Sequence, residues 1–163
     1  MALLAAVVSP MSTGSVHIYT TDPSEQPLID PAWLGSEFDQ QLALETIRNA
    51  VTLVTSSPLD SFTIGPFGDF ATALAAETDE ALLSYMRSQG TTIWHAFSNT
   101  RMSPYGTDYG VVNPDFAVKG IKGLRILDAG VFPTLPTCHP MGVVWVFAER
   151  AADLIKRKYG NDP

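Results

Sequence analysis

Two of the three histidines in this 163-residue chain stand in segments suited to proton transfer. His95 lies within Thr-Ile-Trp-His-Ala-Phe (92–97) and His139 within Pro-Thr-Cys-His-Pro-Met-Gly (136–142). Imidazole takes and gives protons near neutral pH, so two that converge can serve as base and acid for one reaction. His17 sits in an alternating N-terminal stretch and reads as an edge or surface histidine. Cys138 adjoins His139, but neighbours in extended chain point to opposite faces. It therefore reads as a plain buried cysteine. Trp94 and Phe97 flank His95, and Phe67 and Phe70 follow a Gly-Pro loop that could cover the site. These four are the candidate walls of an apolar substrate pocket, while Phe132 and Trp145 read mostly as core. Three histidines without clustered partners make no metal site. No phosphate-binding loop and no Ser–His–Asp pattern occurs.

The elements that must position the histidines can be read from pattern. Residues 3–8 and 15–20 look like strands joined by a turn at 9–14, with Val16 and Ile18 on one face and His17 and Tyr19 on the other. Residues 22–35 are rich in Pro, Asp and Gly and read as an irregular connection. Ser36 opens a helix as N-cap, with Glu37 and Asp39 in its first turn. Ala43, Ile47, Ala50, Val51 and Val54 follow at helical spacing, and Pro58 lies past its end. Thr78-Asp79-Glu80 starts a second helix that stops at Gly90. Residues 91–97 read as a strand carrying His95, and 110–118 and 124–127 as short strands. The last helix starts near Pro140, where proline is tolerated, and ends at Gly160. Helices and strands mix without βαβ alternation, which predicts one α+β domain over 1–163, with an antiparallel or mixed sheet and helices on one face.

Composition narrows the partners. The net charge of −7 disfavours a nucleic-acid partner. Lys156-Arg157-Lys158 reads as the positive last turn of a helix. One cysteine permits no internal disulfide, which fits a reducing, cytoplasmic setting. The apolar run at 2–8 lacks a basic flank and is cut by Ser9-Pro10, so it reads as a buried strand. No run reaches the ~18 apolar residues of a membrane span.

Several ordered stretches resemble one family. They are Thr-Ile-Trp-His at 92–95, Arg101-Met102-Ser103-Pro104, Gly110-Val111-Val112-Asn113-Pro114, Val118-Lys119-Gly120, and Gly123-Leu124-Arg125-Ile126-Leu127-Asp128-Ala129-Gly130-Val131. Cys138-His139 and Ala148-Glu149-Arg150-Ala151-Ala152-Asp153-Leu154-Ile155 continue the series. Pro27-Leu28-Ile29-Asp30-Pro31 and Leu34-Gly35-Ser36-Glu37-Phe38-Asp39 precede it. Together they resemble the C-terminal substrate domain of the glucose–methanol–choline (GMC) flavoprotein oxidoreductases, nearest the fungal aryl-alcohol oxidase branch.

The resemblance implies that His95 abstracts the alcohol proton and that His139 lies beside it near the flavin. It implies that Asp128, Ala129, Gly130 and Val131 derive from a segment touching the FAD pyrophosphate, and that Gly142 faces the flavin. The family's Gly-x-Gly-x-x-Gly opening is missing, so the chain reads as a substrate domain without its Rossmann-type FAD domain. Ala96-Phe97-Ser98-Asn99 replaces the usual Pro and Gly after the first histidine. Pro140 replaces a small polar residue after the second, which removes an N–H donor.

Three functions follow as expectations. The first is a flavin-independent enzyme with no cofactor, whose histidine pair drives cyclisation, dehydration, isomerisation or lyase chemistry on a small apolar substrate. The second is a piece of a split alcohol oxidoreductase whose FAD arrives with a partner chain. The third is a non-catalytic binding protein. The former FAD-facing surface is expected to be covered by a homodimer contact or a lid.

Overall fold

The computed structural model describes residues 3–57, 59–137 and 139–160. Pro58 and Cys138, singled out above, lie outside them, as does Ala2. The chain divides into two compact units, Met1–Ile93 and Trp94–Pro163.

The first unit holds an antiparallel strand pair and three helices. Strand β1 (Ser15–His17) pairs with β2 (Leu28–Asp30), so that Val16 faces Ile29. This corrects the expected hairpin: residues 3–8 form no strand, and β1 finds its partner in the stretch read as irregular connection. The Pro27 and Pro31 that flank β2 masked a strand only three residues long, a length too short to display alternation. Helix α1 (Glu37–Thr55) begins where expected, because Ser36 in extended conformation accepts the Asp39 N–H through its hydroxyl. Helix α2 (Gly68–Ala75) was not foreseen; it places Phe70 on a helix and leaves Phe67 at its N-cap. Helix α3 (Asp79–Gln89) is capped by the Thr78 hydroxyl and stopped by Gly90. It packs against both α1 and α2, around a core of Leu44, Ala73, Leu82 and Leu83.

Asp39 is 2% exposed, although it lies in the first turn of a helix. Its carboxylate accepts the backbone N–H groups of Met11 and Ser12 at 2.7 and 2.8 Å and the Ser12 hydroxyl. Ser12 in turn accepts the Ser36 N–H at 3.0 Å. The N-terminal segment is thus tied to α1 by one carboxylate rather than by strand pairing.

The second unit is mostly irregular chain wrapped on one helix, α4 (Met141–Tyr159). The expected strands at 110–118 and 124–127 shrink to isolated bridges, Met102 with Val112, Val112 with Val118, and Ala117 with Arg125. Gly110, Gly120 and Gly123 all take positive φ and bend the chain before a ladder can extend. Val112, Phe116, Val131, Phe132 and Ala151 form the core, with Phe97, Met102, Val144, Phe147 and Leu154 packed against it. The α+β class stands, with four α-helices, a two-stranded antiparallel sheet and no Rossmann domain among the described residues.

Candidate functional site

The segment carrying His95 is not a strand. Trp94 and Ser98 take φ of 60° and 65°, and a β-ladder does not tolerate such turns. The chain is instead fixed just downstream. Thr100 N–H donates to Gly130 O at 3.0 Å and Met102 N–H to Val131 O at 2.7 Å. Phe97 meets Phe132 edge to face, 5.1 Å between ring centroids. His95 therefore hangs two residues before a side chain anchored in the core.

His139 is held from the other side. Pro140 precedes α4 and accepts the Val144 N–H at 3.0 Å. Val144 and Phe147 then pack into the same core as Phe97. The outcome is that His95 and His139 meet, with ring centroids 5.4 Å apart and planes at 86°. His95 is half-buried and His139 exposed. Two imidazoles this close, one open to solvent, can be reached by one substrate hydroxyl and can act on it as base and acid.

The other predicted wall residues divide. Trp94 is 83% exposed beside His95, whereas Phe97 is partly buried against the core. Phe67 and Phe70 belong to the first unit. Phe70 packs on Tyr85 at 5.2 Å within that unit's core, and Phe67 is exposed. Among the described residues no group of His, Cys, Asp and Glu could hold a metal ion.

FAD fits part of this surface only. Pro140 gives α4 no side-chain cap, and nothing stands within 4 Å of where a Gly142 Cβ would be. Among the described residues no side chain caps the first N–H groups of α4, which leaves a positive helix end suited to an electron-rich ring edge next to His139. The Asp128–Val131 segment is different. Gly130 N–H donates to Asp128 Oδ1 at 2.7 Å, Val131 N–H to Asp128 O at 3.2 Å, and Phe132 N–H to Ala129 O at 3.4 Å. These donors are spent inside the turn, and none of them is offered to a diphosphate.

The sequence pattern of the GMC oxidoreductases matches residues 10–148. The chain belongs to the GMC oxidoreductase family. What matches is that family's C-terminal domain. Dehydrogenase eriK of Hericium erinaceus is 41% identical over 153 residues, covering 92% of this chain and 26% of that protein. Versicolorin B synthase of Aspergillus parasiticus is 31% identical over 151 residues, covering 93% of this chain and 23% of its own length. Among solved structures, a fungal aryl-alcohol oxidase superposes with a TM-score of 0.74 at 31% identity, covering 93% of this chain and 24% of that one. The chain thus spans about a quarter of the length of the curated relatives it matches.

One feature escaped the sequence reading. Arg101, Tyr105 and Tyr109 line an open cleft of about 550 Å³ in the second unit, and neither histidine borders it. Behind its wall, Lys119 Nζ reaches Ser103 Oγ at 2.7 Å, Thr107 Oγ1 at 2.9 Å and Tyr109 O at 2.6 Å. The Arg-Met-Ser-Pro and Val-Lys-Gly stretches were noticed for their resemblance, but no local pattern says that they fold against each other.

Proposed function

We propose that this chain supplies the acid–base half of an alcohol-processing GMC site, in which His95 takes the hydroxyl proton of a small, largely apolar substrate and His139 holds or returns it. The observation that carries this reading is the pairing of the two rings at 5.4 Å. Trp94 supplies an apolar flank for the substrate.

The surface of α4 supports a body that covers this half-site. Residues 141–148 are apolar all round, yet only Val144 and Phe147 pack inward. Met141 and Trp145 stay 72% and 65% exposed. A helix apolar on every side belongs in an interior. In the reading we favour, the cover is a dinucleotide-binding body outside these 163 residues, and the reaction is FAD-dependent alcohol oxidation. The dehydrogenase and oxidase names of two of the proteins compared support it. A flavin held there supplies the hydride acceptor, which no side chain replaces. The open start of α4 and Gly142 suit its ring edge, while Asp128–Val131 would add shape rather than hydrogen bonds.

A second reading has its own support. The Gly130 and Val131 N–H groups are engaged inside their own turn, and one relative is named a synthase. In this reading the chain needs no cofactor. The same pair catalyses cyclisation, dehydration, isomerisation or elimination, and a second copy of the chain or a lid covers α4.

Visible spectroscopy with turnover assays separates the two. The oxidative reading expects flavin absorbance and alcohol oxidation only once a dinucleotide-binding body is present. Colourless chain that converts a substrate without any electron acceptor would overturn it in favour of the second. Undiminished turnover in His95→Ala with His139→Ala would remove both.

A further inference from the structure

The geometry points to a second ligand site, for a small aromatic carboxylate, in the cleft that Arg101, Tyr105 and Tyr109 line together. The inference does not depend on the histidine chemistry.

Charge comes first. Arg101 is exposed, and its guanidinium has no hydrogen-bond or ion-pair partner among the described residues. Lys119, directly behind the wall, is coordinated by hydroxyls and carbonyls of Ser103, Thr107 and Tyr109 and by no carboxylate. Neither cation has an ion-pair partner within 4 Å among the described residues, although Asp108 lies exposed in the same loop between Thr107 and Tyr109. No Asp or Glu lines the cleft. Asp115, next to the lining Pro114, accepts the Ala117 N–H at 3.2 Å and does not itself line the cleft. In a chain of net charge −7, this pocket selects an anion by local field.

Shape comes second. The remaining walls are apolar and stiff, built from Pro104, Pro114 and Pro133. Tyr105 and Tyr109 are 64% and 53% exposed and offer aromatic faces. A volume of about 550 Å³ lies within the usual range of small-molecule sites. A guanidinium binds a carboxylate through two parallel hydrogen bonds, and tyrosine faces take a flat ring.

Rigidity comes third. Ser103 is 4% exposed, its N–H donates to Val112 O at 3.0 Å, and its hydroxyl donates to Tyr109 O at 2.6 Å. Lys119 ties Thr107 and Tyr109 to that same serine. The wall is thus preorganised, so binding loses little to loop ordering.

The test titrates the full 163-residue chain with benzoate, and with benzyl alcohol and acetate as comparisons, by amide chemical shifts. Saturable benzoate shifts in residues 103–109 are expected, with both comparison compounds at least tenfold weaker. Arg101→Gln removes a charge-assisted pair and is expected to weaken benzoate about tenfold to a hundredfold. Because the Arg101 side chain makes no hydrogen bond or ion pair among the described residues, while its carbonyl keeps the Val111 N–H at 2.8 Å in the variant, the spectrum should keep wild-type dispersion. Should that variant fail to fold, Tyr105→Leu takes its place and is expected to erase the preference for benzoate over acetate. Unchanged benzoate affinity in Arg101→Gln, equal affinity for acetate, or no saturable shifts in wild type would each overturn the proposal.

Discussion

Phe132 stacks on Phe147 with centroids 4.0 Å apart and planes at 23°. The contact joins the two arms of the candidate site. Phe132 also receives the edge of Phe97, two residues from His95, and Phe147 lies on the helix that begins beside His139. A contact that includes neither histidine therefore links the two segments that carry them.

Phe132→Ala is expected to cost about 3–5 kcal/mol of stability in the second unit, since the ring is 5% exposed and its loss leaves a cavity. Denaturant unfolding measures this. Activity at temperatures where the variant is folded should fall further than the folded fraction does. A variant with wild-type activity per folded molecule would show that the stack does not set the histidine geometry.

The two histidines should behave as one unit. His95→Ala and His139→Ala are each expected to lower turnover by about 10²–10⁴-fold. The double variant should be little worse than the poorer single one. Strict multiplication of the two losses would mean that the rings act at separate steps.

Asp39 should make the first unit sensitive to acid. Burial pushes its pKa up from the ordinary 3.8, but hydrogen bonds from the Ser12 hydroxyl, the Met11 and Ser12 N–H groups and Ser36 outweigh this and bring it below that value. A carboxylate with a lowered folded pKa contributes stability that is fully present above 3.8 and is lost as pH falls through the folded value. Asp39→Asn offers an amide to donors and should cost about 1–3 kcal/mol at neutral pH. Urea midpoints measured across this pH range should fall for wild type and respond less in the variant. Parallel curves would mean that Asp39 does not carry the acid sensitivity.

Gly130→Ala should destabilise without any cofactor present. A Cβ there would lie 2.7 Å from Thr100 Oγ1 and 2.8 Å from Asp128 Oδ1. Overpacking of this kind costs about 1–3 kcal/mol. Adding Thr100→Ala should recover part of the loss, and it also removes a buried hydroxyl that lacks a partner among the described residues. If Gly130→Ala melted like wild type, the glycine would serve the approach of a ligand rather than packing.

Helices were legible in the sequence where capping chemistry is local. Ser36, Thr78 and Gly90 bound α1 and α3 as read, because a side chain that reaches a backbone group three residues away leaves its mark in three residues. α2 was missed because Gly68 opens it and its N-cap, Phe67, makes no side-chain bond. Strands were over-read at 91–97 and 110–118, where positive-φ residues bend the chain before a ladder can form, and at 3–8, where the apolar run read as a buried strand is largely exposed.

The sequence by itself determined the family, the α+β class, the two histidines and the side-chain caps of α1 and α3, since each is written in residue type and short spacing. Tertiary structure alone decided that the histidines meet at 5.4 Å. It also decided that Asp39 is buried under Ser12, and that Arg101 lines a cleft with no Asp or Glu in its lining while Lys119 braces Ser103 and Tyr109 of its wall. Those outcomes depend on which distant segments pack on one core. The driving force for that packing is non-directional apolar burial, which leaves no signature at any single position.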